Sequence, residues 1–571
     1  MPELLTRPVP DAARDALERA GVSPVLARVF AARGLSAAEE LSDDFARLLP
    51  PTQLACCDAA AAALADAIEC DERLLIVADY DCDGATACAV GMRALRAFGA
   101  RVDFLVPNRF EYGYGLTPQI VDLAHQRRPD WLITVDNGIA SVDGVERAHA
   151  LGMRVLVTDH HLPGSQLPAA EVIVNPNQPG CSFPSKHLAG VGVMFYVMLA
   201  LRAELRRRGR FGGGNGPNLA HWLDLVALGT VADVVHLDAN NRILVSQGLR
   251  RIRAGRTVPG IAALLRVAGR AADRCTTYDL GFVAGPRLNA AGRLQDMSLG
   301  IECLVTDDVA RAGAIAAELD RLNRQRREIE ATMRDQALAA VDVDVGGDGW
   351  SIALFDPAWH QGVIGIVAAR LKDRLHRPAF CFARGEGGVL KGSGRSIAGL
   401  HLRDALDLVE KRVPGLLLAF GGHAAAAGLS LREADLPLFT QTLESVARAL
   451  LTPADLSRVI ETDGSLEGDR LDLDLARSVH EGVWGPGFAR PEFIDSFEVT
   501  GQKIVGAAHS KLELRGCGGR YPAIRFNSVD PLPGRIEAVY RVEMNSWQGL
   551  HSVQLAIEHW RDAGAPGSPW N

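Results

Sequence analysis

The sequence predicts an α/β protein of several domains: a parallel-sheet domain, a smaller α/β domain joined to it by a long helix, and a C-terminal β-barrel. Three observations carry this reading. Short β-branched runs alternate with helical stretches from about residue 55 to 260, the pattern of a parallel sheet with crossover helices. A proline-free stretch with helical spacing then runs between Pro286 and Pro357. Short segments of alternating polarity, separated by turn residues, fill the tail from about 455 to 560. With 571 residues, 48% of them hydrophobic, the chain is too long for one core and reads as roughly three to four domains.

Residues 1 to about 50 read as short helices punctuated by Pro8, Pro10 and Pro50-Pro51. The first buried strand is Leu74-Leu75-Ile76-Val77-Ala78, and it runs directly into Asp79-Tyr80-Asp81-Cys82-Asp83-Gly84. Alternate residues of an extended segment point the same way, so Asp79, Asp81 and Asp83 are expected to converge on one side. Carboxylates that close repel one another unless a cation neutralises them. Cys82 points the other way on this reading and serves as packing.

Two further runs end alike. Trp131–Val135 closes in Asp136-Asn137-Gly138, and Val155–Thr158 closes in Asp159-His160-His161. A fourth candidate strand end is Val226–Ala232 followed by Asp233, with Asp224 upstream as a further possible ligand. Ligands of open α/β sheets bind at the carboxyl ends of the strands. A single Asp after a strand is more often a turn or helix cap, and a single His pair is more often surface. Three such ends within the first 161 residues favour one joint site. Carboxylate and imidazole without thiolate suit one or two Mn²⁺ or Mg²⁺ ions, Mn²⁺ accepting histidine more readily. Two ions bridged by a carboxylate suit phosphodiester hydrolysis.

The Gly-rich basic stretch Arg206–Pro217 reads as a solvated surface loop, with a role in holding DNA as the alternative. In the long helix, Ile315, Leu319, Leu322, Ile329 and Met333 form one apolar stripe, decorated by Arg321, Arg324, Arg326, Arg327 and Arg334. It is expected to span two domains across a cleft. Ser351–Phe355 and Pro378–Phe382 are strands of the second α/β unit, and His360–Arg370 opens a helix between them. Lys391–Ser396 and Phe420–Ala424 read as Gly-rich turns whose amides can approach a phosphate. Five strands are expected in the tail, near Phe493–Thr500, Lys511–Arg515, Tyr521–Phe526, Ile536–Glu543 and Ser552–Glu558. Basic and aromatic residues interleave there (His509, Lys511, Arg515, Arg520, Tyr521, Arg525 and Phe526), which suits single-strand binding as well as it suits an ordinary barrel surface.

The net charge of −8 is unusual for a nucleic-acid binder but does not exclude one, since carboxylates gathered around metal ions count toward it. Ten cysteines without a Cys-x-x-Cys pair indicate a reduced, cytoplasmic protein and no zinc site. The N-terminus has no apolar core of signal-peptide length, and no run of ~18 apolar residues predicts a membrane span.

Taken in order, Asp79–Gly84, Asp136–Gly138, Asp159–His161 and Gly229–Asp233 resemble the motifs of the DHH phosphoesterases. Gly421–Gly428 is similar to the Gly-Gly-His signature of the associated DHHA1 domain. Gly392–Ser396 and Gly285–Arg293 are similar to segments of the RecJ-type single-stranded-DNA-specific 5′→3′ exonucleases of that family. The resemblance spans nearly the whole chain. Its one departure is Ala78, where many relatives carry Gly. It implies an N-terminal helical segment (1–50), a DHH domain (51–305), a connecting helix (306–345), a DHHA1 domain (346–452) and an OB-like domain (453–571).

The resemblance also implies roles. Asp79, Asp81, Asp83, Asp136, His160 and Asp233 would hold the metal, Asp136 bridging two ions. His161 would contact the scissile phosphate, and Asp159 would orient a histidine. Arg109, Arg287, Asn289, Arg293, Ser393, Arg395, Gly422 and His423 would bind the 5′-phosphate and the DNA. The implied substrate is single-stranded DNA in recombination and repair, with a single-strand-binding protein and a helicase as partners. Two other readings stay open: a DHH-type oligonucleotide or cyclic-dinucleotide phosphodiesterase, which the long tail disfavours, and a non-catalytic DNA-binding scaffold, which the complete set of acidic and imidazole positions disfavours. A pyrophosphatase is disfavoured by the Gly-Gly-His segment and the tail.

Overall fold

The computed structural model describes residues 3–107, 112, 115–344, 349–469, 471–506, 508–547, 550–564 and 570. The chain divides into two compact units. One comprises Arg7–Asn323 with Asp463–Glu558, the other Met1–Thr6, Arg324–Thr462 and His559–Asn571.

The chain opens on a strand rather than a helix, β1 (Glu3–Thr6), and the short helices Asp11–Arg19 and Pro24–Ala31 follow. The larger unit is built on a parallel sheet of β2 (Arg73–Ala78), β3 (Arg101–Leu105), β4 (Trp131–Val135), β5 (Arg154–Thr158) and β6 (Val172–Val174), ordered β3-β2-β4-β5-β6. The central strands are covered on both faces, which is why they read as unbroken Leu, Ile and Val runs rather than alternating ones. One face packs on the helices Pro118–His125 and Val142–Ala150 through Leu75, Val77, Leu132, Val155 and Val157. The run Val226–Ala232 is not a strand. It belongs to the helix Leu223–Ala232, whose residues up to Thr230 are all buried, so the run is apolar all round and its period carries no signal.

The smaller unit carries a mixed sheet of β7 (Ile352–Phe355), β8 (Ala379–Arg384), β9 (Val389–Arg395), β10 (Ala419–Gly422) and β11 (Ala426–Arg432), ordered β10-β11-β9-β8-β7. Its helix Ile364–Leu375 joins the parallel pair β7 and β8. The helix Leu402–Arg412 precedes β10, and Leu436–Leu450 follows β11. β12 (Val459–Thr462) pairs in parallel with β1. Lys391–Arg395 is therefore strand, not turn. Its glycines serve packing: a methyl group at Gly392 would meet the Phe382 ring at 2.5 Å, and one at Gly394 the Phe380 ring at 2.3 Å. The segment around His423 is the turn of the β10–β11 hairpin.

The long helix Val309–Asp344 runs from the larger unit into the smaller one. The tail forms a closed barrel of β13 (Phe493–Val505), β14 (His509–Gly516), β15 (Gly519–Arg525), β16 (Arg535–Trp547) and β17 (Leu550–Asp562), ordered β13-β14-β15-β17-β16. Ser510, Leu512 and Leu514 of β14 point inward, and Lys511, Glu513 and Arg515 outward.

The barrel strands up to Glu558 belong to the larger unit, and the segment leading to them shows how. Trp484 and Phe488 stack on each other and on Phe30, with ring centroids 5.3 to 6.0 Å apart. Arg33 and Asp463 form a buried ion pair at 2.7 Å.

Candidate metal centre

β2 delivers Asp79, but the backbone does not stay extended beyond it. Asp81 caps the helix Cys82–Ala97, its Oδ1 accepting from the amides of Asp83 at 2.9 Å and Gly84 at 3.1 Å. Asp83 therefore stands in the first helical turn, fully buried, and accepts from the amides of Gly190 at 2.6 Å and Val191 at 2.8 Å. The expected alternation along one strand is replaced by a strand end plus a helix start. The residues still gather. Ligand atoms of Asp79, Asp81 and Asp136 lie within 4.8 Å of one another, as do those of Asp83, His160 and Asp233, and those of Asp136, His160 and His161.

β4 ends in Asp136, whose φ of 62° is left-handed, an uncommon conformation for a residue with a side chain. Asn137 fastens this turn by donating to the carbonyls of Val77 at 3.2 Å and Val135 at 2.9 Å, tying two strand ends together. Gly190 must be glycine: a methyl group there would meet Asp136 Cβ and Oδ1 at 2.7 Å. β5 ends in Asp159, which is buried. Its Oδ1 accepts from the amides of His160 and His161 and lies 2.7 Å from His161 Nδ1; its Oδ2 accepts from Ile139 N at 2.9 Å. His160 Nε2 lies 3.1 Å from Asp136 Oδ1 and 3.5 Å from Asp233 Oδ2. Asp233 is supplied by the C-terminus of the helix Leu223–Ala232.

Electrostatics mark the same residues. Burial, then the charge of Asp81, pushes the Asp83 carboxyl up to about 7. Burial and then the Asp83 charge raise Asp136 and Asp233 well above the usual carboxylate range. Burial is the largest influence on Asp159 and pushes it up, but the hydrogen bond and charge of His161, the Ile139 amide and the His160 charge together hold this carboxyl low. His161 is raised: burial opposes its charge, and the hydrogen bond and charge of Asp159 prevail. Asp233 Oδ2 is buried and has no hydrogen-bond partner among the described residues. Hard carboxylate oxygens with imidazole and no thiolate fit Mn²⁺ or Mg²⁺, and the shared Asp136 and His160 leave room for more than one ion. Cys82 is buried, and burial raises its thiol. All ten cysteines are free. Asp224 accepts from Thr257 Oγ1 and Val258 N, a structural role away from these groups.

The remaining site candidates are carried by other segments of the chain. Arg109 falls outside the described residues. Asn289 Oδ1 accepts from Cys82 N at 2.7 Å, so it braces the acidic loop. Arg287 is bound to Asp320 at 2.9 Å and to the Val283 carbonyl at 2.7 Å. Arg293 is half-buried on the same helix, Gly285–Leu294. In the smaller unit, Arg395 reaches Ser393 Oγ at 3.2 Å on β9, Gly422 adopts φ 142° and His423 is exposed. On the barrel, Arg515 pairs with Glu498, Tyr521 donates to the Cys517 carbonyl, and Lys511, Arg520 and Phe526 are exposed.

Sequence reading missed the Gly190 and Val191 amides. It also missed Asn175 and Asn177, which donate to the carbonyls of His161 at 2.9 Å and His160 at 2.7 Å. The Asn175-Pro176-Asn177 punctuation after a short strand was the one available signal. No single helix among the described residues is long and apolar enough to cross a membrane.

Three family models match the chain: the DHH family N-terminal domain at residues 73–230, the DHHA1 domain at 347–449 and the RecJ OB domain at 462–559. The single-stranded-DNA-specific exonuclease RecJ of Escherichia coli is 47% identical over 558 residues, covering 95% of this chain and 96% of that protein. The crystal structure of RecJ in complex with Mn²⁺ from Thermus thermophilus matches with a TM-score of 0.82 at 30% identity, over 99% of this chain and 80% of that one. The corresponding Mg²⁺ complex matches with a TM-score of 0.76 at 29% identity, over 99% and 78%.

Proposed function

The chain belongs to the RecJ family, and we propose that it is a divalent-metal-dependent exonuclease that degrades single-stranded DNA from the 5′ end to mononucleotides. The observation that carries this is the convergence of Asp79, Asp81, Asp83, Asp136, His160 and Asp233 into overlapping groups of ligand atoms. They sit in a chain 47% identical to a curated single-stranded-DNA-specific exonuclease over almost its full length.

Those six residues would hold Mn²⁺ or Mg²⁺. When bound, the ions supply neutralisation of the carboxylates, Lewis-acid polarisation of the phosphodiester and a reactive water at neutral pH. The protein's own part is positional. Asp159 fixes the ring of His161 through Nδ1 and leaves Nε2 as the nitrogen that can meet a phosphate oxygen. Asp83 is held by two helix amides, and Asp136 is held in a left-handed turn. Ser393 and Arg395 form a donor pair suited to a terminal phosphate. Arg287 can take that role only by sharing its guanidinium with Asp320. The place of action we assign is the cytoplasm, in DNA recombination and repair, where a single-strand-binding protein and a helicase are the expected partners.

The test is digestion of a 5′-labelled single strand with Mn²⁺ or Mg²⁺, beside a matched duplex, a matched RNA and a dinucleotide. Release of labelled mononucleotide from the DNA single strand supports the proposal. Activity confined to the dinucleotide supports a small-substrate phosphodiesterase instead, and binding without cleavage a scaffold.

A further inference from the structure

Tyr278 and Phe282 are large aromatic residues standing 52% and 72% exposed in the larger unit. Their rings stack, with centroids 5.2 Å apart and planes 23° apart. The Arg270 guanidinium lies 6.0 Å from the Tyr278 ring centre, and its Nε lies 3.4 Å from Asp279 Oδ1. The pair is carried by an uncommon local structure: Asp279–Ala284 is a π-helical turn, a geometry that concentrates at functional sites. Thr276 fixes its start by donating from N and from Oγ1 to Asp279 Oδ2, both at 2.9 Å.

This turn and the glycine after it pack against residues that adjoin the metal centre in sequence. A methyl group at Gly281 would meet Val231 Cγ1 at 3.2 Å, and one at Gly285 would meet Ala232 Cβ at 3.1 Å and Cys82 Sγ at 3.8 Å. It is therefore packed on the last turn before Asp233 and on the start of the helix that follows the acidic loop. Val234, the residue after Asp233, is a further exposed apolar residue. It is 65% exposed and held at φ 62°, a strained conformation for a β-branched side chain. A rigid aromatic pair with a neighbouring guanidinium offers a flat face and a cation. Nucleobases of a single strand supply flat faces and phosphates in alternation.

We propose that Tyr278 and Phe282 form a stacking platform for a base of the strand bound at the metal centre. The proposal rests on the exonuclease reading, and it adds a binding subsite with its own residues. Both rings are exposed, so their removal leaves the core intact.

The experiment compares wild type with Phe282→Ala, Tyr278→Ala and Phe282→Trp. The substrate is a DNA single strand carrying one reduced abasic site, moved one nucleotide at a time from the 5′ end. In wild type, one position of the missing base should raise KM; Phe282→Ala should raise KM on intact strand about 10- to 100-fold, as loss of one stacked base does. In that variant the abasic position should no longer matter. Phe282→Trp should restore both KM and the abasic penalty, while kcat and Mn²⁺ affinity stay at the wild-type level in all variants. A KM within about twofold of wild type for both alanine variants, with an unchanged abasic profile, overturns the platform and assigns the patch to another partner. Wild type is read first: if it leaves the single strand intact, the exonuclease reading itself fails and the platform with it.

Discussion

Asn289 Oδ1 accepts a 2.7 Å hydrogen bond from the backbone nitrogen of Cys82, the first residue of the helix after the acidic loop. Its helix, Gly285–Leu294, lies so close to the loop that a methyl group at Gly292 would meet the Tyr80 carbonyl at 2.1 Å. A segment that reads as DNA-contacting in sequence thus supports Asp81 and Asp83 from behind.

Asn289→Ala leaves the Cys82 amide without this acceptor, at a cost of about 1–3 kcal/mol. Outer supports of a metal site are worth about 10- to 100-fold in affinity. Mn²⁺ affinity measured by calorimetry should fall within that range, and Asn289→Asp, which keeps an acceptor, should recover most of it. Unchanged Mn²⁺ affinity in the alanine variant would remove Asn289 from the support of the site.

Metal removal should produce a pH dependence of stability with a definite sign. The folded state raises the carboxyls of Asp83, Asp136 and Asp233, Asp83 to about 7. A raised acid binds its proton more tightly when folded, so its contribution is complete below the ordinary carboxylate pKa and is lost as pH rises through the folded value. In chelator, the apparent Tm should therefore fall as pH rises from about 4 to 7. Mn²⁺ should raise it most at the upper end, where the carboxylates are ionised. A metal-free Tm that climbs over this window contradicts the clustering.

Asp463 is the anchor of the barrel segment. It accepts from Arg33 at 2.7 Å and from Arg7 at 3.3 Å, and it also accepts from the Glu492 amide at 3.0 Å. Breaking a buried pair by removing one partner costs about 3–5 kcal/mol, because the other charge stays buried. Asp463→Asn should lower the apparent Tm and expose the barrel to limited proteolysis before the parallel-sheet body. No change would show that Trp484 and Phe488 suffice to hold it, and simultaneous loss of both would show that barrel and body unfold as one.

Much of this was legible in the chain, and the misses share a cause. The strands before Asp79, Asp136 and Asp159 were readable because a buried parallel strand writes itself as an apolar β-branched run ended by polar residues. The tail strand His509–Gly516 was readable because it buries one face and alternates. The helix before Asp233 was misread, since complete burial erases periodicity. Lys391–Arg395 was misread because glycine there answers the Phe380 and Phe382 rings, a tertiary demand invisible along the chain. The gathering of the acidic and imidazole residues followed from strand-end position, whereas the amides holding Asp83 come from a helix more than a hundred residues away and left no local trace.

The most direct measurement is single-turnover cleavage of a 5′-labelled single strand by wild type and Asp136→Ala as Mn²⁺ is titrated, with strand binding followed in parallel. Wild type should release labelled mononucleotide with saturable dependence on Mn²⁺, while the variant binds the strand and cleaves at least about a thousandfold more slowly, as expected when a residue shared by two of the three ligand groups is removed. Cleavage by the variant at the wild-type rate, or cleavage by wild type in chelator, would contradict the assignment of this cluster as the nuclease centre.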